Sequence, residues 1–184
     1  MDLTAKARER VDEFVARNVK YSENFTPTPP ISKLMEIARG NPIGNVVILT
    51  CADPRIIPEE FFDFGRCKAA VIRTAGGRSM DCMRSLQILD TVGNVGTVIV
   101  VHHTDCGGLT ITDDDVRQRM VERNAEEAAK VPLSQKFGTY KDIGLDESIR
   151  QDCAEIKAAP FLRKDLLVVG FAYDVATGLL REVV

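Results

Sequence analysis

A chain of 184 residues, 45% of them hydrophobic and 28% charged, is long enough to bury one core and has the make-up of an ordinary globular protein. Lys plus Arg is 24 and Asp plus Glu is 27, a net charge of −3 with no basic run, which argues against nucleic acid as a partner. No apolar run approaches the ~20 residues of a membrane span, the N-terminus lacks the apolar core of a secretory signal, and five scattered cysteines do not form a disulfide framework. A cytoplasmic protein away from membranes is the simplest expectation, its cysteines being small core residues or metal ligands.

Leu3 to Val19 carries apolar residues at Leu3, Ala7, Val11, Phe14 and Val15, one helical stripe. It reads either as a surface helix on its own domain or as an arm reaching another subunit, set off by Thr26 to Pro30. The domain is expected to be single, 1–184, with 1–30 as helical arm and linker. A short helix is predicted from Ser32 to Ala38, ended by Gly40. Asn45 to Thr50 is a β-branched run, read as a strand buried on both faces. A helix follows from Ile57 to Phe64, stopped by Gly65, then a strand from Ala69 to Arg73. Ser79 is the expected N-cap of a helix to Val92, with Met83, Leu86 and Leu89 inward. Thr97 to His102 is a third buried strand.

Thr112 caps a predicted helix from Asp113 to Lys130 whose opening acids suit the positive helix pole. Val131 to Leu145 is turn-rich and read as loop. Asp146 is the expected cap of the next helix, where Ile149, Cys153 and Ile156 share a face. Leu166 to Ala172 is a fourth strand, and Leu179 to Val184 returns as a fifth after a turn. Alternating strands and helices predict an α/β fold: a mainly parallel central sheet flanked by helices, with an antiparallel edge strand at the C-terminus. Ligands bind such sheets outside the carboxyl ends of the strands.

Two of those ends are chemically unusual. The first strand runs into Thr50-Cys51-Ala52-Asp53-Pro54-Arg55, the third into His102-His103-Thr104-Asp105-Cys106-Gly107-Gly108. Each motif alone has an ordinary reading as a strand end or capped turn. Together they place three ligand-type residues at the same ends of strands that should be neighbours. A catalytic zinc takes three protein ligands and keeps a fourth position open. Cys51, His103 and Cys106 supply that set. A structural zinc would need a fourth ligand, and none stands nearby. Cys82 and Cys153 fit helix faces as core residues, and Cys67 is assigned to packing. His103 is preferred to His102 on spacing; adjacent strand residues point opposite ways, so His102 is read as packing or hydrogen-bonding. Gly107 and Gly108 would let backbone crowd the metal. Asp53 is placed to accept a hydrogen bond from a bound hydroxide, and Arg55 to hold Asp53 ionised by a bidentate pair. Released from Arg55, Asp53 could move onto the metal and close the site.

Cys-x-Asp-x-Arg followed about fifty residues later by His-x-x-Cys-Gly resembles the β-class carbonic anhydrases. Arg73-Thr74-Ala75-Gly76-Gly77 stands where that family has an Arg-Asn-Ala-Gly loop. Ser85-Leu86 and the ending Gly170-Phe171-Ala172-Tyr173-Asp174-Val175-Ala176-Thr177-Gly178 also match. The chain departs from the family at Pro54, where Ser is usual, and at Thr74, where Asn is usual; it has no clear counterpart of the glutamine that plant-type members place beside the substrate. The resemblance runs from about Lys33 to the C-terminus, and the N-terminal helix is similar to the family's dimer arm. It implies a Zn2+ enzyme, a homodimer or higher even-numbered assembly, in which zinc-bound hydroxide attacks carbon dioxide to give bicarbonate. The small microbial branch that the compact length resembles also includes carbonyl sulfide and carbon disulfide hydrolases on the same zinc site. Their reaction, yielding hydrogen sulfide and carbon dioxide, is the alternative. A thiol redox protein using Cys51 or Cys106 is disfavoured by the lack of Cys-x-x-Cys. A non-catalytic α/β module with a structural zinc would show no dependence on Asp53.

Overall fold

The structure is a computed structural model that describes residues 2–184. It divides into two compact units at Pro30. The first holds α1 (Leu3–Ser22), whose N-cap Asp2 accepts from Thr4 N at 2.9 Å. None of its residues is buried, and Val11, Phe14, Val15 and Val19 are exposed.

The second unit, 31–184, opens with α2 (Ile31–Gly40) and is built on a five-stranded sheet. The strands are β1 (Asn45–Cys51), β2 (Ala69–Thr74), β3 (Val95–His103), β4 (Leu167–Tyr173) and β5 (Leu180–Glu182). Their order is β2-β1-β3-β4-β5, parallel throughout except for β4–β5. The predicted α/β architecture with its antiparallel C-terminal edge is the one observed. β1 and β3 lie inside the sheet, and Val47, Leu49, Val98 and Val100 are buried in its main core, which is why both read as near-continuous β-branched runs. The chain leaves β1 for β2 on one side and then crosses to β3 on the other. The crevice outside the ends of β1 and β3 is therefore a topological switch point, where open α/β sheets bind ligands.

The helices are α3 (Pro58–Phe61), α4 (Met83–Gly93), α5 (Gly107–Thr110), α6 (Asp113–Arg123), α7 (Ala125–Ala128) and α8 (Leu145–Ala158). Several differ from expectation for local reasons. The helix expected to reach Phe64 stops at Phe61, ahead of Asp63, which takes φ +49. Ser79 does not cap α4: it sits in a 3₁₀ turn, Ser79–Asp81, and its hydroxyl donates to Asp152 at 2.7 Å. Asp146 does not cap α8, whose N-cap is Gly144; Asp146 lies in the first turn and pairs with Arg181 at 2.6 Å. Thr112 does cap α6, in a reciprocal box with Asp115. That helix ends seven residues early because Asn124 leaves helical geometry to cap α7 through Glu127 N at 3.1 Å. Cys82 and Cys153 are buried as expected, whereas Cys67 is exposed at φ +67 and does not pack in the core.

Candidate metal centre

Cys51 is the last residue of β1 and His103 the last of β3, so neighbouring parallel strands deliver both to one end of the sheet. Cys106 follows after a two-residue turn and enters α5 in extended geometry (φ −82°, ψ 144°). The turn is tight because Asp105 takes φ +54, a left-handed conformation that aspartate tolerates better than most residues. One ligating atom from each of Cys51, His103 and Cys106 lies within 4.8 Å of the other two, and all three residues are buried.

The donor set fits a zinc ion. The two sulfurs are 3.8 Å apart, and two sulfurs about 2.3 Å from one tetrahedral zinc stand about 3.8 Å apart. His103 Nδ1 lies 2.8 Å from the Thr104 carbonyl and donates to it when the ring is neutral, which leaves Nε2 as the free acceptor. Nε2 is buried with no hydrogen-bond partner. Unpaired buried acceptors are costly, and a cation at the centre of the trio would remove that cost. The thiols are also poised for one. The hydrogen bond between them, together with burial, pushes Cys51 up to about 11. The same bond, against burial, brings Cys106 down to about 6. The two sulfurs already face each other, and a metal ion bound between them would take both as thiolates.

Asp53 lies beside this trio, its Oδ2 3.9 Å from His103 Nε2. Arg55 holds it bidentately, Nε to Oδ1 at 3.0 Å and Nη2 to Oδ2 at 2.8 Å. That pairing, against some burial, keeps the Asp53 carboxyl down to about 2. Arg73 of β2 donates to the carbonyls of Cys51 (3.3 Å) and Asp53 (2.6 Å) and so braces the loop between ligand and carboxylate. The five residues singled out from sequence, Cys51, Asp53, Arg55, His103 and Cys106, come together here.

A cavity of about 460 Å³ opens onto the two sulfurs and Asp53. Ala52, Ala75, Ile111, Val116 and Phe137 give it an apolar wall. Thr139, in the same wall, turns its hydroxyl to Asp113 at 2.6 Å.

Sequence reasoning missed Tyr140. It lies in the turn-rich stretch before α8, yet it is 1% exposed and packs against Cys51 and Cys106. A Cβ on Gly108 would stand 2.6 Å from the Tyr140 ring. Gly108 therefore makes room for an aromatic side chain; the expected crowding of the metal by backbone is not its visible reason. Also missed was a buried polar network behind the centre. His102 turns away from the trio, with Nδ1 2.8 Å from Ser148 Oγ and Nε2 3.2 Å from the Gly77 carbonyl. Asp152 Oδ2 stands 3.0 Å from that Nε2 and 2.9 Å from Arg78 Nε. The sequence signal for His102 was strand alternation, which placed it opposite His103. Asp152 and Arg78 gave no signal.

The carbonic anhydrase family profile matches residues 46–180. The chain belongs to the β-carbonic anhydrase family. It is 33% identical over 173 residues to β-carbonic anhydrase 1 of Mycobacterium tuberculosis, covering 94% of this chain and 96% of that protein. A carbon disulfide hydrolase of Acidianus sp. strain A1-3 is 28% identical over 153 residues, 73% of this chain and 75% of that one. Among solved structures, the carbonic anhydrase of Streptococcus mutans superposes with a TM-score of 0.77 at 32% identity, covering 95% of this chain and 97% of that one. This β-carbonic anhydrase chain thus has relatives of both chemistries. Among its described residues no helix is long and apolar enough to cross a membrane.

Proposed function

We propose that this family member is a zinc enzyme that reversibly hydrates carbon dioxide to bicarbonate, with Cys51, His103 and Cys106 holding the metal. The observation that carries this reading is a buried Cys-His-Cys trio facing an apolar cavity, with an ionised carboxylate at its edge. Zinc, when bound there, supplies Lewis acidity and a water whose pKa is lowered toward neutrality. Two thiolates offset its charge, which makes orientation of the attacking water more important. Asp53, ionised and fixed by Arg55, would accept a hydrogen bond from that water and so turn the water's lone pair toward the cavity. Ile111, Val116 and Phe137 accept an uncharged linear substrate and offer no donor to compete for it. The same wall solvates an anionic product poorly, which favours release.

A second reading is hydrolysis of carbonyl sulfide or carbon disulfide by the same residues, supported by the carbon disulfide hydrolase relative and by a cavity wall that suits a sulfur-bearing triatomic equally well. The test is a parallel assay of purified, zinc-loaded protein on carbon dioxide, carbonyl sulfide and carbon disulfide. Carbon dioxide should turn over fastest. Sulfide release without measurable hydration would replace the first reading by the second. No turnover of any would end both.

We also infer a homodimer or higher even-numbered assembly. The exposed apolar stripe of α1, from Leu3 to Val19, supports it, since such a stripe needs cover. Light scattering at micromolar concentration should give an even multiple of the chain mass; a monomer would contradict it.

A further inference from the structure

We infer that Asp105 is a positioning residue that anchors Arg55 from the far side, so that Asp53 stays beside the metal position and does not move onto it. The inference rests on the zinc reading above. Arg55 spends its donors on two loops at once. Nε and one Nη2 hydrogen go to Asp53. Nη1 donates to Asp105 Oδ2 at 2.6 Å, and Nη2 also donates to the Asp105 carbonyl at 2.8 Å. Asp53 follows β1, whereas Asp105 sits between His103 and Cys106 after β3. The guanidinium is therefore fixed against both loops that carry the cysteines and the histidine.

Geometry makes the second anchor consequential. Asp53 Oδ2 is only 3.9 Å from His103 Nε2, so a small swing would carry it into the centre of the trio. Bidentate pairing fixes Asp53 relative to Arg55, but the Arg55 side chain is 48% exposed and sits on a flexible stem. Without Asp105 the pair could move, or part, as a unit. The left-handed backbone of Asp105 turns its carbonyl and carboxylate to the same guanidinium. The rival view is a surface ion pair that does nothing for the site, since the Asp105 side chain is 70% exposed.

Asp105→Asn and Asp105→Gly both keep the left-handed turn and remove the charged acceptor. The measurement is azide titration of the full-length protein loaded with cobalt(II), followed by visible absorption, with metal content determined in parallel. An Asp53 that visits the metal competes with azide and with substrate alike. The apparent azide dissociation constant and KM should both rise about two- to fivefold, the range an exposed ion pair can supply. Metal content and kcat should stay near wild type. In an Asp53→Asn background, adding Asp105→Asn should leave azide affinity unchanged. Wild-type azide affinity in both single variants would overturn the proposal, as would an equal loss of affinity in the Asp53→Asn background. Failure of the enzymatic reading would look different: none of the three substrates is turned over, while the azide titration still reports on the pair.

Discussion

His103 and His102 leave the end of β3 in opposite directions, into two regions built on opposite terms. On the His103 side the polar groups are short of partners: Nε2 has none, and the two cysteine sulfurs face each other at 3.8 Å. On the His102 side they are crowded: Ser148, Gly77 and Asp152 surround one ring, and Arg78 and Ser79 share the same carboxylate. Both histidines are 0% exposed, so burial does not distinguish them. A buried donor set that converges on one point is where an ion belongs; a buried set whose members engage one another by hydrogen bonds and close ion pairs holds elements together, here β3, α8 and the turn at Gly77.

The sharpest way to break that contrast is to delete one residue from each side. Cys106→Ala should lose most of its zinc and its activity with it, because two remaining ligands do not make a catalytic site. His102→Ala should keep zinc near the wild-type level. Metal analysis of both purified proteins decides the matter, and the reverse pattern would exchange the roles assigned to the two sides.

The next effect is on stability. Burial opposes the charge of Asp152, but His102, Arg78 and Ser79 outweigh it and hold its carboxyl below the usual carboxylate range. A folded pKa below the unfolded value of about 3.9 gives stability that is complete above about pH 4. It is lost as pH falls further, through the folded value. Asp152→Asn removes this contribution and leaves Arg78 without its counter-charge. The expected cost at pH 7 is about 3 kcal/mol, a fall of roughly 6–12 °C in melting temperature. The variant should also show a flatter acid limb than wild type below pH 4. Equal melting curves at pH 7 would show that the network is not a strut.

These two sides were unequally legible in the sequence. The trio could be read because strand ends and a two-residue spacer are local features: Cys51 closes a β-branched run, and His103 and Cys106 share one turn. The strut could not, because Arg78 finds Asp152 across 74 residues and no periodicity encodes that meeting. The misplaced caps have the same origin. Ser79 has the chemistry of an N-cap, but Asp152 and Glu155 recruit its hydroxyl from α8. Tyr140 sat in a stretch without period, and its burial depends on the missing Cβ of Gly108. Asp105 was visible as a residue of the spacer, but its use became clear only when Arg55 was seen to reach it.

The smallest expected effect concerns protons. Hydration of carbon dioxide releases a proton that must reach solvent before the next turnover. Histidine is the usual carrier because its unperturbed pKa is near neutrality. The chain has two histidines. His103 belongs to the trio, and His102 is enclosed, both of its ring nitrogens already engaged. Neither stands at the mouth of the cavity. Export is then left to water, surface carboxylates and external buffer. At constant ionic strength, the maximal rate of hydration should rise modestly with buffer concentration. His102→Ala, whatever it costs in stability, should show the same dependence at a temperature where it is folded. A wild-type rate that ignores buffer, together with a variant rate that depends on it, would mean that His102 passes protons through the network to α8. The region behind the centre would then be a conduit, and the division between ligand and strut drawn from the two rings would fail.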